Sequence, residues 1–306
     1  MKDKILARVT VTAPASTSNL GPGFDCLGMA LGLRNELTLE LHDASGPPVV
    51  EIEGAGADTL ARGETNMLVR AARMSLPPSL PGRLVFKARN RVPLARGLGS
   101  SAAAIVTGLW AGAHLVGTLR RSEDELEQLA VGLEGHPDNI APCVHGGLTA
   151  SLVIDGRARA QRLGVHASLS SVVCIPDFEL STKKARSVLP ETVFRDDAVF
   201  NASRALLLVR ALESGHVARL PELMKDRLHQ PYRAKLVPGL EDALAAAVDA
   251  GAAGASLSGS GPTVFAFVEG RNAAVGEAMV RAFHKHGVSS RWLSLQVDHQ
   301  GVAVHR

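Results

Sequence analysis

Between Pro93 and Ala104 the chain reads Pro-Leu-Ala-Arg-Gly-Leu-Gly-Ser-Ser-Ala-Ala-Ala. Two glycines one residue apart, two hydroxyls and then small helix formers leave few conformations open: a tight loop running into a helix. Gly97 and Gly99 admit positive-φ backbone and bring it close to a bulky anion with no Cβ in the way. Ser100 or Ser101 is read as the N-cap, and the alanines with Ile105 and Val106 as the first turns. A helix N-terminus presents unpaired N–H groups and about half a positive elementary charge, so phosphate is its natural guest. A plain glycine-rich loop before a helix would read the same in isolation. The rest of the chain decides between the two.

The 306 residues are 46% hydrophobic and 21% charged, enough for a globular protein of two domains. The 33 basic and 30 acidic residues are spread along the sequence, and the eight Phe, two Trp and one Tyr are scattered. A nucleic-acid binder calls for a basic stripe with stacking aromatics, so no nucleic-acid partner is expected. Cys26, Cys143 and Cys174 stand alone, without the C-x-x-C spacing of a zinc or redox site, and an odd count does not suit a secreted disulfide framework. No apolar run reaches bilayer-spanning length. A soluble, cytoplasmic protein with no membrane partner is expected.

Ala7 to Pro14 alternates Val9, Val11 and Ala13 with polar residues, a strand pattern repeated over Asn35 to His42. Between them, Ala15 to Asp25 reads as a polar, turn-rich loop ending in a carboxylate, the kind of segment that carries function. Strands are expected at Val49–Glu53, Arg83–Arg89 and Gly147–Ile154. Helices are expected at Asn66–Met74 and Ser101–Val116, and from the capping box Ser122-Glu-Asp-Glu125 to about Leu133. A second domain is expected near Ala158, dividing the chain into 1–157 and 158–306. There, strands at Val172–Pro176, just before the loop Gly254–Pro262, at Thr263–Val268 and at Arg291–Val297 interleave with helices at Ser181–Val188, Asp197–Leu212, Gly239–Asp249 and Arg271–His286. That order is the order of a ferredoxin-like α+β sandwich.

The glycine loop lacks the lysine of the Walker pattern and does not follow the G-x-G-x-x-G pattern of dinucleotide folds. It closely resembles the P-x-x-x-G-L-G-S-S-A-A signature of the GHMP kinase superfamily. Pro14-Ala-Ser-Thr-Ser-Asn-Leu-Gly-Pro-Gly-Phe-Asp25 is similar to that superfamily's N-terminal motif, and Leu257-Ser-Gly-Ser-Gly-Pro-Thr263 to its C-terminal one. Within the superfamily the chain resembles the homoserine kinase family. The carriers are Ser18–Asp25, Glu134-Gly-His-Pro-Asp-Asn-Ile-Ala-Pro142, Ser181-Thr-Lys-Lys-Ala-Arg186 and His229-Gln-Pro-Tyr-Arg233. The resemblance implies an α+β, two-domain GHMP kinase fold. Its ATP-binding N-terminal domain (1–157) would be ribosomal-protein-S5-domain-2-like and its C-terminal domain (158–306) ferredoxin-like. It also implies transfer of the γ-phosphoryl of ATP to the side-chain hydroxyl of L-homoserine in threonine biosynthesis, in a cleft between the domains of a homodimer.

The same resemblance implies roles for single residues. Pro93, Leu94, Ala95, Arg96, Gly97, Leu98, Gly99, Ser100, Ser101, Ala102 and Ala103 form the ATP-binding segment, with N–H groups from Arg96 to Ser101 around the phosphates. Mg²⁺ takes one or two protein oxygens and leaves the rest to water and phosphate; here they would come from Ser100 or Ser101 and from Glu134. Asn66 matches a family position near the adenine, or is simply the N-cap of its helix. A zwitterionic acceptor wants guanidinium for its carboxylate and carboxylate for its ammonium. Arg186 and Arg233 match the first need, Asp25 with Asn19 the second, and His136 and Thr182 belong to the same pocket by family position.

Relatives such as mevalonate kinase place a catalytic aspartate after the metal-binding glutamate. Asn139 takes that place here, and an amide does not usefully accept a proton. The expectation is therefore transfer without a protein base, with Asn139 and Thr182 at the hydroxyl and the phosphate itself taking the proton; a loose transition state demands little activation of the nucleophile. Asp138 is read as a helix N-cap. Mevalonate, a diphosphocytidyl polyol or shikimate, the acceptors of other GHMP kinases, lack an ammonium and do not call for Asp25. His284 and His286 are read as surface residues, and Cys26 and Cys143 as small buried hydrophobes.

Overall fold

The computed structural model describes residues 4–77, 79–117, 121–270 and 272–305. The alternation at Val9, Val11 and Ala13 makes strand β1 (Ile5–Ser18), but the strand continues past Pro14 into the expected polar loop. Strand β2 (Leu27–His42) starts early for the same reason, since Ala15 to Ser18 pair with Leu31 to Gly28. The register shifts between Pro14 and Ala15, where proline supplies no ladder N–H.

Strands β3 (Val49–Gly54) and β4 (Arg83–Asn90) run parallel, joined by helix α1 (Met67–Ser75). Helices α2 (Ser100–His114), α3 (Glu123–Glu134) and α4 (Pro137–His145) follow. The capping box of Ser122 and Glu125 opens α3 as read from the sequence. Helix α4 was not legible there, because Pro137 at its start and Pro142 inside it mask the helical period. His136 holds its N-cap position, so Asp138 is not the cap but the second residue of the helix.

Strands β5 (Leu148–Ile154) and β6 (Arg157–Leu163) extend the first sheet from the early part of β2. The expected break at 157/158 falls at the start of β6, which is still part of this sheet. Val9, Val11, Leu37, Leu39 and Phe86 pack beneath Val106, Leu109 and Trp110 of α2.

Strand β7 (Leu169–Pro176) begins the second half, followed by helices α5 (Thr182–Arg186), α6 (Arg195–Ser214), α7 (Leu220–Leu223), α8 (Gln230–Arg233) and α9 (Leu240–Asp249). Strand β8 (Gly254–Leu257), strand β9 (Val264–Glu269), helix α10 (Ala273–Lys285) and strand β10 (Ser290–Leu295) complete it. Arg271, the expected first residue of α10, lies outside the described residues. The sheet is antiparallel in the order β10-β7-β9-β8, which is the ferredoxin-like order. Strand β11 (Ala303–His305) returns to pair with β1, giving the first sheet its path β11-β1-β2-β4-β3.

Both faces of the second sheet are buried. Val172, Cys174, Val264 and Ala266 face α9 and α10, while Val173, Ile175, Phe265 and Phe267 meet Ala15, Leu20, Leu31 and Leu98 of the first half. Burying Phe265 and Phe267 contributes about 1.5–3 kcal/mol each. The two halves therefore share a core. No helix of the described residues is long and apolar enough to cross a membrane.

Candidate active site

Helix α2 starts at Ser100 with left-handed Gly99 (φ 66°) in the N-cap position and no side-chain cap. Neither serine is the N-cap; both lie in the first turn. The first backbone bond of the helix runs from Ala103 N–H to the Gly99 carbonyl at 2.9 Å. The N–H groups of Ser100, Ser101 and Ala102 are left without intrahelical acceptors. Gly97 also has positive φ, 74°. The missing side chains make room for protein rather than ligand: a Cβ on Gly97 would lie 2.2 Å from the Ser258 carbonyl oxygen, and one on Gly99 2.0 Å from Ser16 Oγ. The loop is clamped between the N-terminal and C-terminal motifs, with Ser258 Oγ donating to the Gly97 carbonyl at 2.6 Å and Ser16 N–H to the Leu98 carbonyl at 3.1 Å.

In front of this loop opens a cavity of about 250 Å³. Asn19, Asp25, Ala95 to Ser101, Glu134, His136, Asn139, Thr182, Arg186 and Arg233 all line it. Pro93 and Leu94 instead line a neighbouring groove with Gly54 to Thr59, and Arg96 borders both. Ala102 and Ala103 are buried in the first turn of α2. Asn66 borders neither space: it caps α1, its Oδ1 accepting from Leu68 N–H at 2.9 Å and its Nδ2 donating to the Ala61 carbonyl at 2.6 Å.

At the loop end of the cavity Ser101 Oγ donates to Glu134 Oε2 at 2.7 Å. Burial pushes the Glu134 carboxyl above its ordinary value despite this bond. A desolvated carboxylate whose side-chain hydrogen-bond partner is a neutral hydroxyl suits a hard cation. The described residues hold no cluster of three His, Cys, Asp or Glu side chains that would form a protein-only metal cage. The fit is to an ion that keeps most of its ligands from water and phosphate.

Also in the cavity lining, Arg186 pairs with Asp25 through two hydrogen bonds, 2.7 and 3.0 Å. Asn19 (φ 71°), Leu20 (φ 47°) and Asp25 (φ 55°) all take the left-handed conformation, which Asn and Asp tolerate and which costs a residue such as Leu20 about 1–2 kcal/mol. Asn19 holds the turn: its Oδ1 accepts the Asp25 N–H at 3.0 Å and its Nδ2 donates to the Gly259 carbonyl at 3.0 Å. Arg233 is 2% exposed. Its Nε donates to the Ala185 carbonyl and its Nη1 to the Gly259 carbonyl and His229 Nδ1, so Nη2 alone lacks a protein acceptor among the described residues. The fork expected for a carboxylate is thus largely spent inside the protein. Burial, reinforced by the Arg186 charge, lowers the Arg233 pKa to about 10.

Asn139 is held by two serines of β1: Ser16 Oγ donates to its Oδ1 at 2.8 Å, and its Nδ2 donates to Ser18 Oγ at 3.0 Å. The Asp138 carboxylate, 3.4 Å from Nδ2, sets which way the amide points, since either serine hydroxyl could donate or accept. His136 Nδ1 lies 2.6 Å from Asp138 Oδ1. Burial opposes the imidazolium, but the Asp138 hydrogen bond and charge outweigh it and raise the His136 pKa.

The family models for the GHMP kinases N terminal domain and for the GHMP kinases C terminal region match residues 66–147 and 208–286. The homoserine kinase of Moorella thermoacetica is 45% identical over 96% of this chain and 99% of its own length, and that of Desulfitobacterium hafniense 41% over 97% and 99%. This chain belongs to the homoserine kinase family. A crystal structure of homoserine kinase from Cytophaga hutchinsonii superposes with a TM-score of 0.87 at 32% identity, covering all of this chain and 98% of that one. Mevalonate kinase from L. major shares the fold alone, with a TM-score of 0.73 at 17% identity.

All four stretches that carry the resemblance to the homoserine kinase family meet at one cleft. The residues that orient them were not read from the sequence. Ser16 and Ser18 could have been found, since positions two apart in a strand share a face. Asp138 behind His136, and His229 behind Arg233, carry no local signal of their partners. Cys143 is buried as expected, but Cys26 is exposed because it sits in the turn before β2. His284 and His286 are on the surface, the latter 2.6 Å from Asp242.

Proposed function

We propose that the cleft transfers the γ-phosphoryl group of ATP directly and in line to the side-chain hydroxyl of L-homoserine, giving O-phospho-L-homoserine. One observation carries the reading. The lining of a single cavity brings together an uncapped helix N-terminus behind a glycine loop and a carboxylate beside two guanidinium groups. The first suits a triphosphate and the second a zwitterion.

The N–H groups from Arg96 to Ser101 receive the phosphates, and the groove beside Pro93 and Leu94 receives the adenine. Asn66 acts there only by shaping the N-terminus of α1. Ser101 and Glu134, with Ser100 in the same turn, would hold Mg²⁺, which when bound neutralises triphosphate charge. Asp25, braced by Asn19, takes the ammonium of homoserine. Arg186 and Nη2 of Arg233 take its carboxylate, and His136 adds positive charge to the same wall. Asn139 and Thr182 orient the hydroxyl. Its oxygen bonds to the γ-phosphorus as the bridging bond to ADP breaks, and its proton passes to a phosphoryl oxygen, because neither side chain serves as a base. The place in threonine biosynthesis, the cytoplasmic setting and a homodimeric state belong to the same proposal, on the strength of family membership.

The test is ADP release from MgATP with L-homoserine, L-threonine, mevalonate or shikimate as acceptor. Turnover with homoserine alone supports the reading. Turnover with mevalonate or shikimate keeps the phosphate loop and discards the amino-acid pocket, and no turnover with any acceptor defeats the catalytic reading.

A further inference from the structure

Behind Arg233 lies His229, fully buried and outside the cavity lining. Its Nε2 is 2.8 Å from the Gly21 carbonyl, which only accepts, so Nε2 carries the proton. Its Nδ1 is 3.2 Å from Arg233 Nη1, which only donates, so Nδ1 is the bare acceptor. Both contacts are satisfied only by the neutral Nε2–H tautomer. Asp226 lies 3.4 Å from Nε2, farther than Gly21. Its carboxylate is occupied by the N–H groups of Leu228, His229 and Gln230 and by Asn201 Nδ2. Asp226 thus fixes the turn that sets His229 in place, and the His229 ring stacks on Phe24, next to Asp25, with centroids 5.1 Å apart. Burial lowers the His229 pKa, which favours the neutral ring in the folded state.

We propose that His229 is a positioning residue for substrate specificity: it ties Arg233 to the Gly21 turn and leaves only the Nη2 edge of that guanidinium facing the cleft. Gly21 and Asp25 belong to one loop, so the tie also sets the spacing between the cation for the carboxylate and the anion for the ammonium. Without the Nδ1 acceptor the guanidinium keeps its bonds to the Ala185 and Gly259 carbonyls but loses its tie to the Gly21 turn, and a carboxylate-bearing acceptor meets a less firmly oriented, charge-assisted partner. The inference rests on the homoserine reading above.

The test compares kcat/KM for L-homoserine with that for 3-aminopropan-1-ol, the same alcohol and ammonium without the carboxylate. In His229→Leu the value for homoserine falls about 10- to 100-fold, the range of one charge-assisted hydrogen bond, while 3-aminopropan-1-ol and the KM for ATP are unaffected. His229→Asn, which puts an acceptor near the Nδ1 position, recovers part of the loss. His229→Gln, which serves the Gly21 side instead, recovers less. Equal losses for both alcohols in the folded Asn and Gln variants overturn the proposal and leave His229 a general scaffold residue, even if the Leu variant fails to fold. Wild-type protein that does not phosphorylate homoserine defeats the underlying reading, a separate outcome.

Discussion

Arg186 closes on Asp25 with both arms of its guanidinium, Nη1 to Oδ2 at 3.0 Å and Nη2 to Oδ1 at 2.7 Å. In the proposed complex these two residues serve opposite ends of one zwitterion, so binding exchanges an internal ion pair for two external ones. The side chains are 37% and 34% exposed, which makes the internal pair weak and the exchange inexpensive.

Asp25→Asn removes the partner of the ammonium while keeping a residue that tolerates left-handed backbone. It lowers kcat/KM for homoserine by about 10- to 100-fold, leaves the KM for ATP in place and shifts Tm little. Steady-state kinetics and a thermal melt check this, and an unchanged KM for homoserine would count against the assignment.

The two loop serines are expected to differ. Ser101 touches Glu134, whereas no side-chain hydrogen bond joins Ser100 to that carboxylate. Ser101→Ala therefore raises the Mg²⁺ concentration needed for half-maximal rate more than Ser100→Ala does, and Glu134→Gln raises it most. Titration of activity with Mg²⁺ at saturating ATP separates the three variants. A larger effect at Ser100 would reverse the metal assignment.

In the proposed reaction Asn139 orients the hydroxyl and its amide does not titrate. Asn139→Ala lowers kcat by about 10- to 100-fold through lost placement of the hydroxyl, with the pH profile of kcat keeping its shape. An acidic limb present in the wild type and absent from the variant would show that the Asn139 region feeds a base.

Glu40 on β2 is 1% exposed and is met by Arg8, His42 and Lys87 at 2.7–3.0 Å. Burial alone would raise its pKa, but the three donors outweigh burial and hold it at about 2, against an ordinary 4.5. The folded state binds this proton less readily than the unfolded chain. The stabilisation is therefore present above the unfolded pKa and is lost as pH falls from about 4.5 towards 2. Glu40→Gln costs about 1–3 kcal/mol at pH 7, since two of the partners are half exposed, and flattens the loss of stability in acid. Urea denaturation at pH 7 and at pH 3 measures both; an equal acid slope in the variant would remove Glu40 as its cause.

What the residues alone determined is local or periodic. The glycine loop before α2, the capping box of α3, the alternation in β1 and the ferredoxin-like order of β7 to β10 depend on neighbours a few positions apart. Chain geometry converts those directly into structure. Helix α4 escaped because its prolines hide the period, and the polar end of β1 escaped because Ser16 and Ser18 are buried by partners elsewhere in the chain.

Tertiary structure alone decided the pairings. Nothing near Asp25 specifies Arg186, 161 positions away. Nothing near Gly97 shows that Ser258 fills the space its side chain would take. The single open edge of Arg233 is set by Ala185, His229 and Gly259, from three separate segments. Residue types state what chemistry is available, but which donor meets which acceptor depends on closing the chain over a shared core. In this protein that closure leaves Nη2 of Arg233 without a protein acceptor among the described residues.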